Sequence, residues 1–170
     1  MPETRPSGHP LIPADTARVF QEVAEVDSYR RLNLLPRWTS RFDWLKDIKK
    51  KEVDVLVVLS EPGCLKLTSW EPDGPRLLQL HERLSEDDAS DENFEALRLI
   101  QDRFGRLTID KEHRPYLGDA ALAHLGLPLQ RGVRSIVYVA LYPQYIAIMS
   151  QEYRNKKLIL GTPLLDEFPS

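Results

Sequence analysis

Two stretches of this chain recur in the same order, and that repetition constrains its fold more than any other feature. With an offset of 75, Asp27-Ser28-Tyr29-Arg30-Arg31-Leu32 falls on Asp102-Arg103-Phe104-Gly105-Arg106-Leu107. Asp, an aromatic, Arg and Leu match in register, and an apolar residue follows two places later at Leu34 and Ile109. With an offset of 81, Val58 meets Val139, Pro62 meets Pro143, Leu65 meets Ile146, Leu67 meets Ile148, Ser69 meets Ser150 and Glu71 meets Glu152. The six-residue difference reads as a change in loop length. Self-similarity of this kind reports a duplicated supersecondary unit, here roughly 55 residues long and rich in β structure. A unit that small buries a poor core alone, so intertwining the two copies is the natural solution.

The local patterns agree. Val53 to Leu59 is short and β-branched, Glu61-Pro62-Gly63 is turn chemistry, and Cys64 to Thr68 alternates as a return strand. The second copy of this hairpin is Arg134 to Leu141, a turn at Tyr142-Pro143-Gln144, and Tyr145 to Met149. Arg18 to Val26 and Leu97 to Ile100 read as further strands. Gly74-Pro75 opens a helix through Leu77, Leu78, Leu80 and Leu84, and Gln151 to Lys157 forms a shorter one. The expected organisation is an irregular, proline-bearing arm over 1–15, a first unit over 16–84, an acidic linker over 85–92, a second unit over 93–157, and an apolar tail over 158–170.

Charge is unevenly spread. Ser28 to Lys51 carries eight bases and two acids, whereas Glu82 to Glu95 carries seven acids and one base, so the net charge of −3 hides a dipolar chain. Such runs read either as solvated faces or as a local patch for an anionic partner. The single Cys64 excludes an internal disulfide framework and a cysteine-only metal cage. No apolar run reaches the ~20 residues of a membrane helix, and MPETRPSGHPLIP lacks a signal-peptide core, so the expectation is a cytoplasmic protein.

In Asp102 to Arg106, the carboxylate can accept backbone N–H bonds as in an Asx-turn, and Gly105 supplies a backbone shape that side chains resist. Arg106 then leaves the turn with a planar fork suited to phosphate or a guanine edge. The competing reading is a structural turn whose aspartate simply pairs with its arginine. In the first copy, Asp27 holds the same place, and Arg30 replaces the glycine beside Arg31. That change either adds a phosphate contact or distorts the turn.

The element D-x-x-G-R-L at Asp102 to Leu107, present in two copies each followed by a helical stretch and a P-x-x-[LI]-x-[LI] hairpin, resembles the signature of the MraZ family, AbrB-like swapped-hairpin DNA-binding proteins. The resemblance covers about Val19 to Lys157. It implies an α+β, mainly β chain in which two pseudo-symmetric swapped-hairpin units form one double-ψ-like, intertwined body with short flanking helices. It further implies a bacterial transcription regulator at the nucleoid, bound to double-stranded DNA as a homo-oligomer closed into a ring. Arg31 and Arg106 would be the principal DNA contacts, with Arg30, Arg103, Arg37 and Lys111 beside them, and Asp27, Asp102 and Gly105 would shape the turns.

Enzymatic signals are weak, and no cofactor or metal is expected. Cys64 reads as a buried thiol, and His9, His81, His113 and His124 lack metal-ligand spacing. The alternative to DNA binding is a non-enzymatic interaction or scaffold protein that kept the fold and uses its acidic segment for a basic partner.

Overall fold

The computed structural model describes residues 22–86, 90–130 and 132–157. The expected arm over 1–15 and tail over 158–170 lie outside the described residues. In chain order the elements are β1 (Glu22–Val26), α1 (Pro36–Thr39), a 3-10 turn (Asp43–Leu45), β2 (Val53–Leu59), β3 (Cys64–Ser69), α2 (Asp73–Glu86), α3 (Asp91–Arg103), β4 (Phe104–Ile109), α4 (Asp119–Leu125), β5 (Ser135–Leu141) and β6 (Tyr145–Met149). Residues 151–157 are helical. The protein is α+β and mainly β, built on one six-stranded antiparallel sheet.

The strand order is β1-β5-β6-β3-β2-β4. Both expected hairpins form, β2 with β3 and β5 with β6, and the two return strands meet at the sheet centre, where Lys66 opposes Ala147. The outer strands come from elsewhere in the chain. β1 pairs with β5, placing Glu22 opposite Val139 and Val26 opposite Ser135. β4 pairs with β2, placing Gly105 opposite Val57 and Ile109 opposite Val53. Each outer strand therefore bonds to a hairpin that follows or precedes it across a large stretch of sequence.

Alternation along the strands sends one set of side chains to a dry layer. Val55, Leu65, Leu67, Ile109, Val137, Ile146 and Ile148 are fully buried there, against Leu32, Trp38, Phe42 and Leu45 on one side and Leu117, Leu122 and Leu125 on the other. The opposite face of the sheet is covered at β2 and β4 by α2 and α3, and Arg154 from the 151–157 helix lies over Tyr138 of β5.

One expected strand is replaced by a helix. Leu97 to Ile100 is not a strand; it lies inside α3, which starts at Ser90, whose hydroxyl accepts the Asn93 N–H at 3.1 Å. The run Leu97-Arg98-Leu99-Ile100 is too short to separate the two periods, and the helix cap decided it. Within the acidic stretch 85–92, α2 runs to Glu86 and α3 begins at Asp91, and residues 87–89 lie outside the described residues.

The start of α2 is set by contact with Trp70. Gly74 is buried, and a Cβ there would stand 2.3 Å from the indole Cδ2. Overpacking of this kind typically costs 1–3 kcal/mol. Gly74→Ala is expected to destabilise the protein by about 3 kcal/mol, measured by urea unfolding, with α2 displaced from Trp70.

Candidate nucleic-acid interface

The turn chemistry expected of the repeats is present twice, but not at the positions the 75-residue offset indicates. After β1, Asp27 Oδ1 accepts the N–H groups of Tyr29 at 2.8 Å and Arg31 at 3.0 Å. Arg30 N–H bonds to Asp27 O at 3.0 Å, Asp27 N–H bonds to Arg31 O at 2.9 Å, and Arg30 takes a φ of 67°. The same pattern follows β4. Asp110 Oδ1 accepts the N–H groups of Glu112 and Arg114, both at 2.9 Å. His113 N–H bonds to Asp110 O at 3.0 Å, Asp110 N–H bonds to Arg114 O at 3.2 Å, and His113 has a φ of 65°. The counterpart of Arg31 is thus Arg114, 83 positions later, not Arg106.

The expected turn at Asp102 to Arg106 does not exist. Asp102 and Arg103 end α3, Ile100 O accepts the Phe104 N–H, and Gly105 and Arg106 are residues of β4. Gly105 has no positive φ. A helix-to-strand junction carrying a chance D-x-x-G-R imitated the motif. The second Asp-led turn is hidden in the sequence because its positive-φ residue is His113 and not glycine. The turns are 83 positions apart, which matches neither the 75-residue nor the 81-residue offset; the signal they share is the D-x-x-x-R spacing of Asp27–Arg31 and Asp110–Arg114.

The two turns lie side by side. Leu32 N–H bonds to Pro115 O at 2.9 Å, Leu34 N–H to His113 O at 3.2 Å, and Leu117 N–H to Arg30 O at 2.8 Å. Arg31 and Tyr116 bridge between them. Their positive-φ side chains also cross over. Arg30 reaches Asp119 and the carbonyl of Leu129, at and beyond the start of α4. His113 Nδ1 lies 2.7 Å from Thr39 Oγ1 in α1, and both residues are buried.

These contacts sort the expected DNA-binding residues. Arg30 is held by Asp119, with its side chain 16% exposed. Arg37 is paired with Glu22 at 3.0 Å. Arg106 is paired with Asp54 at 2.5 Å and lies 4.6 Å from the Trp70 ring centroid, on the strand face covered by α2 and α3. Arg103 is exposed at the end of α3. Arg31 and Lys111 carry no ion pair among the described residues, and Lys111 is exposed at the tip of the second turn. Arg114 is bonded to Asp110 and Glu112 at 3.1 and 3.0 Å. Lys49, Lys50 and Lys51 are exposed on the loop before β2.

Other chemistry is sparse. Cys64 is buried in β3, and burial pushes its thiol up. No group of three His, Cys, Asp or Glu residues is placed to hold a metal among the described residues, nor is any described helix long and apolar enough to cross a membrane. No protein family matches the chain, and no curated protein matches it.

Asp27→Ala and Asp110→Ala each strip two backbone donors of a charged acceptor; each is expected to cost about 2 kcal/mol in chemical denaturation, and to loosen Leu32 or Pro115 in hydrogen exchange. A second expectation concerns Asp54. The hydrogen bond from Arg106, reinforced by Thr108, holds its carboxyl below the usual aspartate range. A carboxyl whose folded pKa is depressed contributes stability above its unfolded pKa and loses it as pH falls through the folded value. Arg106→Ala is expected to raise the Asp54 midpoint toward the ordinary range, read by carboxyl-carbon NMR, and to shrink the acid-side loss of stability.

Proposed function

We propose that this chain is a DNA-binding regulator of the swapped-hairpin class, resembling MraZ, made of two related units that have exchanged their first strands. The observation that carries the reading is the pair of adjacent D-x-x-x-R turns at Asp27–Arg31 and Asp110–Arg114, joined backbone to backbone. The sheet order supports it: exchanging β1 with β4, β2 with β5 and β3 with β6 leaves the order unchanged. The registers support it too: Val57 lies opposite Leu67 and Val139 opposite Ile148, so Val57 matches Val139, one residue off the 81-residue alignment, and Gly105 opposite Val57 corresponds to Glu22 opposite Val139.

Within this reading Arg31 and Lys111 are the principal phosphate contacts, and Arg114 joins them when DNA displaces Glu112. Arg30, Arg37 and Arg106 serve as internal braces, because each already holds a carboxylate. Self-association into a ring belongs to the same proposal. Val23 and Ile136, both more than half exposed on the neighbouring strands β1 and β5, form the apolar surface it would cover.

A second reading is favoured by one observation: carboxylates neutralise Arg30 and Arg114 at the two turns. On this reading the fold is a scaffold that does not engage DNA. Fluorescence anisotropy with a labelled random-sequence duplex separates the two. DNA binding predicts an affinity that falls steeply between about 50 and about 200 mM salt, with a log–log slope near −0.9 per phosphate neutralised. Arg31→Ala and Lys111→Ala are each expected to reduce that slope by about one. Negligible binding at low salt, or a titration unchanged in the double variant, favours the scaffold.

A further inference from the structure

We propose that the free edge of β4 binds an extended segment of a partner protein and seats one tryptophan of that segment in the hollow beside it. This inference rests on the geometry of β4 and α4 and on the two related units of the reading above, and not on DNA binding.

The first observation is a short open stretch of edge at Arg106, between Phe104, whose N–H is bonded to Ile100 O, and the Ile109–Pro115 bridge. β4 is the last strand of the sheet. Thr108 O accepts the Tyr116 N–H from the outer side at 3.4 Å, so by alternation the backbone N–H and C=O of Arg106 face outward as well. Among the described residues no backbone group pairs with them. An unpaired edge of this kind is a template for strand addition, in which backbone bonds give affinity and alternate side chains give selectivity.

The second observation is a cleft of about 450 Å³ running along that edge, lined mainly by Val57, Leu59, Gly105, Leu107, Ala120 and Ala121. The corresponding position beside β1 is filled. There Trp38 of α1 is buried and its Nε1–H donates to Glu22, which Arg37 also holds. Counting 83 positions on, Trp38 becomes Ala121, Arg37 becomes Ala120 and Glu22 becomes Gly105. The indole, its flanking arginine and its acceptor are all cut back at the second site. A Cβ on Gly105 would come no closer than 3.9 Å to Val57, so the space is not a requirement of backbone packing.

The filled site identifies what the empty one fits: an indole lying against a sheet edge between strand and helix. The chain cannot supply it readily, because its three tryptophans are Trp38, Trp44 and Trp70. Trp38 is buried, and the other two are half-buried within their own fold. A tryptophan of another protein, carried on a strand that extends the sheet, satisfies both the hollow and the edge.

The test uses the full chain with two probes, N-acetyl-tryptophanamide and an acetylated heptapeptide in which valine and threonine alternate around a central tryptophan. Amide NMR is expected to show shifts at Gly105, Ala120 and Ala121 with both probes, and the heptapeptide is expected to bind at least about tenfold more tightly through its backbone bonds. The Gly105→Glu/Ala121→Trp variant, which copies the filled site, is expected to lose both responses. Ala121→Leu, a milder filling, weakens both and serves where the double variant fails to fold. Absence of shifts, unchanged binding in the filled variants, or equal binding of a heptapeptide with alanine at its centre overturns the proposal. Equal affinity of the amide and the heptapeptide overturns the strand-addition part, leaving a small-molecule aromatic site.

Discussion

Everything in this structure depends on the outer strands finding partners far away in the sequence. β1 is bonded to β5 and β4 to β2, so the chain before α2 does not complete a sheet without the chain after α3, and the reverse holds equally. Unpaired backbone groups in a half-formed sheet are costly. The dry layer of Val55, Leu65, Leu67, Val137, Ile146 and Ile148 closes only when both hairpins are present, because β3 and β6 meet at its centre. Sheet and core are therefore assembled by the same long-range event, at the loop-closure cost that such contacts carry.

The turns add a second tie between distant segments. A non-glycine residue at positive φ costs about 1 kcal/mol or more, and two such residues are kept among the described residues, Arg30 and His113. Their side chains explain the arrangement. Arg30 spans from the first turn to α4, and His113 spans from the second turn to Thr39 of α1. Glycine would ease the backbone and remove both braces. The Arg30–Asp119 pair also neutralises charge that a nucleic-acid interface would use, whereas Arg31 and Lys111 hold no carboxylate among the described residues.

The hairpins were legible because β-branched runs ended in Glu61-Pro62-Gly63 and Tyr142-Pro143-Gln144, and α2 was legible from Gly74-Pro75 and its leucine spacing. The second turn was not. Its positive-φ residue is His113, so a search guided by glycine settled on Gly105, an ordinary residue of a strand. Side-chain use was equally hidden, since nothing in the spacing shows that Arg106 is held by Asp54 while Arg31 holds no carboxylate. Leu97 to Ile100 illustrates a different limit: four residues, three apolar and one charged, carry too little periodicity to separate strand from helix, and the deciding cap at Ser90 stands seven residues upstream.

The long-range pairing of β1 with β5 and of β4 with β2 has a bearing on how the molecule tolerates cleavage. The chain passes from α2 to α3 between Glu86 and Asp91, and neither β1 with the first hairpin nor β4 with the second crosses that point. A protease cutting there would sever the polymer without opening the sheet, since each fragment grips an edge of the other. The two pieces would behave as a clasped pair, separable only by a denaturant, and expressed as separate chains they would be complementary halves of a single domain.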